Sequence, residues 1–179
     1  MDSWQFRKLI NLFEQDHSVG EADHTDEIDF DSTDSFEEVM QKVKRNELNR
    51  IGIGKYRQTW HHPFDKRLVV KWAQCRESDT QTPKDCQLRN LWEFLVWHHS
   101  KGQPEHELLM PCKDIHPEGK WLTMRKGTRV DKQELSNIKT KTTWVGDRKK
   151  ENFAKVNDKI LMVDYGVANA VEHLGLPME

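Results

Sequence analysis

One stretch, residues 144–166, WVGDRKKENFAKVNDKILMVDYG, restricts the fold more than any other. FAKV and KILMV are strand-like runs. Asn157-Asp158 between them is turn chemistry, because both side chains bond their own backbone and tolerate left-handed φ. A chain that folds back between 157 and 158 sets Asn152 opposite Val163, with Asp164 one step beyond. The hairpin therefore brings Asn152 and Asp164 together at its open end. Mg²⁺ takes hard oxygen ligands, typically one or two carboxylates with phosphate and water oxygens. One carboxylate and one amide make half of such a site. On the hairpin alone, capping of the strand ends is the better account of both residues.

The rest of the chain has to supply a core. Its 179 residues suit one domain, or one domain with an appendage. Hydrophobic residues make up 35% and charged residues 32%, a mixture of folded core and solvated segments. Seven tryptophans and seven phenylalanines argue for packing over disorder. A net charge of −2 gives no general pull toward nucleic acid or a membrane surface. Cys75, Cys86 and Cys112 are odd in number and lack a C-x-x-C spacing, which argues against a disulfide framework and for a reducing compartment. Cys75 reads as a packing residue. The first residues carry an early acid and no apolar run of signal-peptide length, so the expected location is cytoplasmic. His61-His62, His98-His99 and Glu105-His106-Glu107 match neither H-E-x-x-H nor a zinc-finger spacing.

Along the chain, Trp4, Phe6, Leu9, Ile10 and Phe13 keep helical spacing over 4–13. Residues 16–34 hold eight acids without Lys or Arg and read as a solvated linker. Ser35 and Glu38 form a capping box ahead of a second helix with Phe36, Val39, Met40 and Val43 on one face. From about 48 the pattern changes to strands: LNRIGIG, YRQTWHH and KRLVVKWAQ. A helix over 84–99 follows, with Leu88, Leu91, Trp92 and Leu95 on one face, then strands in ELLMPCKDI and KWLTM. Strands, a helix, then strands indicate an α+β fold and not an alternating doubly wound sheet.

Asp147 stands five residues before Asn152, the spacing of the kinase catalytic loop H-R-D-x-x-x-x-N, and DYG stands where a kinase has D-F-G. GDRKKEN followed by VDYG thus resembles a protein-kinase-like catalytic loop and metal-binding motif. The earlier chain has matching parts. Gly52 and Gly54 resemble the first two glycines of a Gly-rich loop, with Arg57 in place of the third. Lys71 in RLVVKW resembles the third-strand lysine, and Glu93 in NLWEFLVW is the acid expected to partner it. Gly52, Gly54, Arg57, Trp60, His62 and Pro63, with Asn90, Glu93, Trp97 and KWLTM, are similar to the YrbL-type (PhoP regulatory network) kinase-like family of bacteria and their viruses. The resemblance covers roughly 48–168.

That resemblance implies a protein-kinase-like α+β fold: a five-stranded antiparallel N-lobe with one helix, a strongly truncated C-lobe and an N-terminal helical extension over 1–47. It implies ATP- and Mg²⁺-dependent phosphoryl transfer. Gly52, Gly54 and Arg57 would meet the phosphates, and Lys71, held by Glu93, would pair with the α/β-phosphates. Asn152 and Asp164 would hold the metal. Asp147 would orient the acceptor hydroxyl, and Lys149 would stabilise transferring charge. The partner would be a protein substrate or regulated protein, the chain itself included, and a homodimer could complete the substrate site. Two departures stand against this. Residues 125–143 are too few for the long helices of an ordinary C-lobe, and 13 residues follow Gly166, leaving no activation segment or A-P-E motif. The acidic linker could instead reach the basic run Lys139, Lys141, Arg148, Lys149 and Lys150. The alternative is a pseudokinase-type module that binds a partner and transfers nothing.

Overall fold

The computed structural model describes residues 35–45, 49–75, 80–131, 133–135, 138 and 141–176. The helix expected over 4–13, the acidic linker 16–34 and Lys139 lie outside the described residues. Three α-helices are described, α1 (Phe36–Arg45), α2 (Pro83–His99) and α3 (Ala168–His173). The strands are β1 (Arg50–Ile53), β2 (Arg57–His61), β3 (Leu68–Ala73), β4 (Cys112–Ile115), β5 (Trp121–Arg125), β6 (Thr128–Arg129), β7 (Phe153–Val156) and β8 (Lys159–Met162). They form an antiparallel five-stranded sheet of order β1-β2-β3-β5-β4 and a three-stranded sheet of order β6-β7-β8. The α+β class and the five strands therefore agree with the sequence reading. β6 lies in a polar stretch that gave no strand signal.

Local chemistry explains where the elements start. Ser35 and Glu38 close the expected capping box, with the Ser35 N–H donating to the Glu38 carboxylate at 2.7 Å. Thr82 and Asp85 form a second such box at the start of α2, where Pro83 occupies the first turn and forfeits no hydrogen bond. The hairpin turns at Asn157, whose φ of 54° is the left-handed conformation that asparagine tolerates. Its register is the expected one: Phe153 pairs with Met162, Val156 with Lys159, and the Val163 N–H reaches the Asn152 carbonyl at 2.8 Å.

The five-stranded sheet is covered on both faces. On one side α1 sets Val39, Met40 and Val43 against Trp60, Val70 and Trp72, and Phe36 against Trp121 at 4.6 Å between ring centres. Glu37 anchors the helix to His116 at 2.9 Å. The described end of the N-terminal extension thus lies on this sheet. On the other side α2 closes the larger core, which runs through Leu122, Met124 and Leu109 to Phe153, Met162, Tyr165 and Val171. The buried residues of α2 are Cys86, Asn90, Glu93, Phe94, Leu95 and Val96. Of the face expected from the apolar pattern, Leu95 is buried and Leu91 and Trp92 pack half-buried against the core, whereas the side carrying Cys86, Asn90 and Glu93 gave no apolar signal because two of its residues are polar.

The cysteines correct the sequence reading. Cys75 and Cys86 form a disulfide with their Cα atoms 6.0 Å apart, and Cys112 is buried and free. Spacing along the chain gave no reason to pair them. The fold does so by laying the segment after β3 on the first turns of α2. Cys75 is therefore a cross-link, and the argument for a reducing compartment falls. Among the described residues, no helix is long and apolar enough to cross a membrane.

Candidate functional site

The chemistry-bearing residues gather where β2, β3 and α2 meet the open end of the hairpin. Lys71, at the centre of β3, faces inward, and Glu93 faces it from α2 at Nζ–Oε2 2.8 Å. Both are buried, Glu93 completely. A buried charge without a partner costs several kcal/mol, so the pair stands only because its remaining bonds are also filled. Glu93 Oε2 accepts a second donor, Arg57 Nη1, at 2.5 Å, and Oε1 accepts the Tyr165 N–H at 3.0 Å. Lys71 Nζ also donates to the Val163 carbonyl.

Arg57 opens β2 and turns its guanidinium into the same space. Nη1 also donates to Asn90 Oδ1 at 3.3 Å, while Nη2 pairs with Asp164 Oδ1. Two cations, Arg57 and Lys71, thus face two carboxylates, Glu93 and Asp164. Burial opposes the charge of Asp164, but Arg57 and then Lys71 outweigh it and hold its pKa below the ordinary value. Burial pulls the Lys71 pKa down, with Glu93 opposing. For Arg57, burial is outweighed by Glu93 and Asp164, so the pKa rises.

A second group sits on the loop before β7. Asn152 Nδ2 donates to the Asp147 carbonyl at 3.0 Å, which fixes the loop across its five-residue span. Lys149 Nζ lies 3.3 Å from Asp147 Oδ2, and their side chains are 73% and 41% exposed. The hairpin mouth is closed by the Val163 N–H to Asn152 carbonyl bond, which places Asp164 one residue past Asn152's partner. Asn152 Oδ1 and Asp164 Oδ2 take no hydrogen bond among the described residues. Two hard oxygens on adjoining segments fit the donor chemistry of Mg²⁺.

Of the expected residues, Arg57, Lys71, Glu93 and Asp164 are in direct contact, as are Asp147, Asn152 and Lys149. Gly52, within β1 where it pairs with Thr59, and Gly54, on the turn before Arg57, stand apart from both groups. The Gly54 N–H donates to the Arg57 carbonyl at 2.8 Å, whereas a Cβ on Gly52 would meet nothing within 4 Å.

Three contributors, all within motifs noted in the sequence, carry no role there. Asn90 donates to the Lys71 carbonyl at 3.1 Å and the Gly119 carbonyl at 2.9 Å, tying α2 to the sheet. Its position three residues before Glu93, on the same helix face, is the available signal. Tyr165 is buried and donates its hydroxyl to the Met110 carbonyl at 2.6 Å. Gly166 is needed because a Cβ there would stand 2.4 Å from the Arg89 carbonyl on α2. No family model matches the chain, and no curated protein matches it.

Proposed function

We propose that this chain is a minimal protein-kinase-like phosphotransferase that uses ATP and Mg²⁺. The observation that carries the reading is the buried Lys71–Glu93 ion pair beside Asp164, joined to a hairpin whose preceding loop carries Asp147 and Asn152. Sheet order β1-β2-β3-β5-β4 with one helix packed against β3 also suits it.

In this reading Lys71, held in place by Glu93, binds the α/β-phosphates of the nucleotide. Asp164 and Asn152 would hold Mg²⁺, which when bound neutralises phosphate charge. Asp147, on the exposed loop, orients the acceptor hydroxyl and receives its proton, and Lys149 offsets charge on the transferring group. The acceptor is a hydroxyl of the chain itself, of another protein or of a small alcohol.

One observation favours a second reading, a binding module that transfers nothing: Asp164 is paired with Arg57. The test is incubation with Mg²⁺ and γ-labelled ATP, beside Asp147→Asn and Asp164→Ala. We expect label on protein or released phosphate from the wild type only. No transfer or hydrolysis at any metal concentration, or transfer untouched by Asp147→Asn, would leave the binding module as the better account.

A further inference from the structure

Arg57 does more than fill space between the sheet and α2. Its guanidinium joins elements from three parts of the chain: Nη1 holds Glu93 and Asn90 of α2, and Nη2 holds Asp164 just past the hairpin. The two ends differ in setting. Glu93 is fully buried, whereas the Asp164 side chain is 42% exposed and lies at the mouth of the cluster.

We propose that Arg57 is an internal counter-ion for Asp164, whose hold on this carboxylate competes with a divalent cation and weakens its binding there. The inference rests on the proposed function in one respect, the assignment of Asp164 as a metal ligand.

The argument is one of charge and reach. Arg57, Lys71, Glu93 and Asp164 sum to zero, so the cluster is neutral as it stands. A divalent ion arriving alone would bring two positive charges beside Arg57 and Lys71, and the Asp164 charge, already offset by Arg57, attracts a further cation less strongly even at the open Oδ2. The arginine cannot leave by losing its proton, because both carboxylates favour its charged form. It leaves by rotating Nη2 away from Asp164. Its Nη1 bonds to Glu93 and Asn90 do not depend on Asp164, so the side chain stays anchored while one arm is freed. An incoming polyphosphate brings the negative charge that the freed arm and Lys71 need. Metal and nucleotide therefore load together, and metal alone binds weakly.

The test measures binding, not turnover. Mn²⁺ alone, then Mn²⁺ with ADP, is titrated into the wild type, Arg57→Gln, Arg57→Lys and Arg57→Gln/Asp164→Ala, followed by calorimetry and the spin signal of free Mn²⁺. Arg57→Lys guards against misfolding of the glutamine variant. It keeps a positive charge near Glu93, but a single ammonium cannot span Glu93 and Asp164. Both single variants should bind Mn²⁺ alone about tenfold or more tighter than wild type, in the range of ordinary coupling between sites. The double variant should lose that gain. In the wild type ADP should strengthen Mn²⁺ binding, and in Arg57→Gln it should do so less. Unchanged or weaker Mn²⁺ binding in both single variants, or a gain that survives Asp164→Ala, would overturn the proposal. Gained binding without phosphoryl transfer by the wild type would leave the counter-ion role standing and remove the phosphotransferase reading. Transfer with Mn²⁺ affinity indifferent to Arg57 would do the reverse.

Discussion

The two charge groups of this molecule are built in opposite ways. Around Glu93, every polar contact is buried and shared: one carboxylate receives Lys71, Arg57 and the Tyr165 backbone, and Asn90 ties the helix to the sheet. Around Asp147, the side chains face solvent, and one amide from Asn152 fixes the loop. The first group is assembled before any ligand arrives. The second offers a carboxylate to whatever approaches from outside. A site that grips one reactant and leaves the other approach open would show this division.

The comparison breaks most sharply at Glu93. Glu93→Ala leaves two buried cations without their common partner, and unfolding in denaturant should show a loss of about 4 kcal/mol. A loss under 1 kcal/mol would mean that water reaches this group as it does the other. Next in size is the brace on α2. Reducing Cys75–Cys86, or replacing both by serine, should lower stability by about 3 kcal/mol, read by thermal unfolding with and without a dithiol. Counting thiols in the native oxidised protein should find none reactive, since burial pushes Cys112 up to about 12.

Acid should act on Asp164, at the mouth of the buried group, and on Asp65 in the β2–β3 turn. The folded carboxyls of Asp164 and Asp65 titrate below their ordinary 3.8, Asp65 at about 2 beside Arg67. The unfolded chain therefore takes up protons first as pH falls. Their contribution is present above pH 3.8 and is lost as pH falls through each folded pKa, about 2 for Asp65. Tryptophan fluorescence against pH should show a shallower acid loss for Asp164→Ala than for the wild type, and identical curves would contradict the pairing with Arg57. The smallest effect on stability belongs to Asp147→Asn, within about 0.5 kcal/mol of wild type, although the same change should abolish transfer. A large destabilisation would place Asp147 with the buried group after all.

Several of these parts can be read from the sequence because their rules are local. The Ser35–Glu38 cap, the Asn157 turn and the hairpin register depend on neighbours a few residues apart. Lys71 and Glu93 are legible for another reason: a charge in an apolar strand demands an opposite charge, and α2 supplies one at the edge of its apolar stripe. Arg57 is only half legible. The sequence marks it as a cation where a glycine is expected, but its partners lie 33, 36 and 107 residues away, and only packing brings them together. The place of α1 is hidden for a similar reason. Its amphipathic face is plain, yet nothing local says that the matching surface is Trp60, Val70 and Trp72.

The Cys75–Cys86 bond gives α2 a pivot. The helix is pinned at Cys86, and Glu93 lies seven residues along it, about 10 Å from that point. A lever of that length turns a small rotation into a large displacement. A swing of about 10° carries the carboxylate by about 2 Å, enough to part it from Lys71, while the pinned end barely moves. Asn90 opposes that swing: bonded to the Lys71 and Gly119 carbonyls three residues before Glu93, it is a second fixing point on α2, and with the disulfide it keeps the carboxylate at its working distance from Lys71.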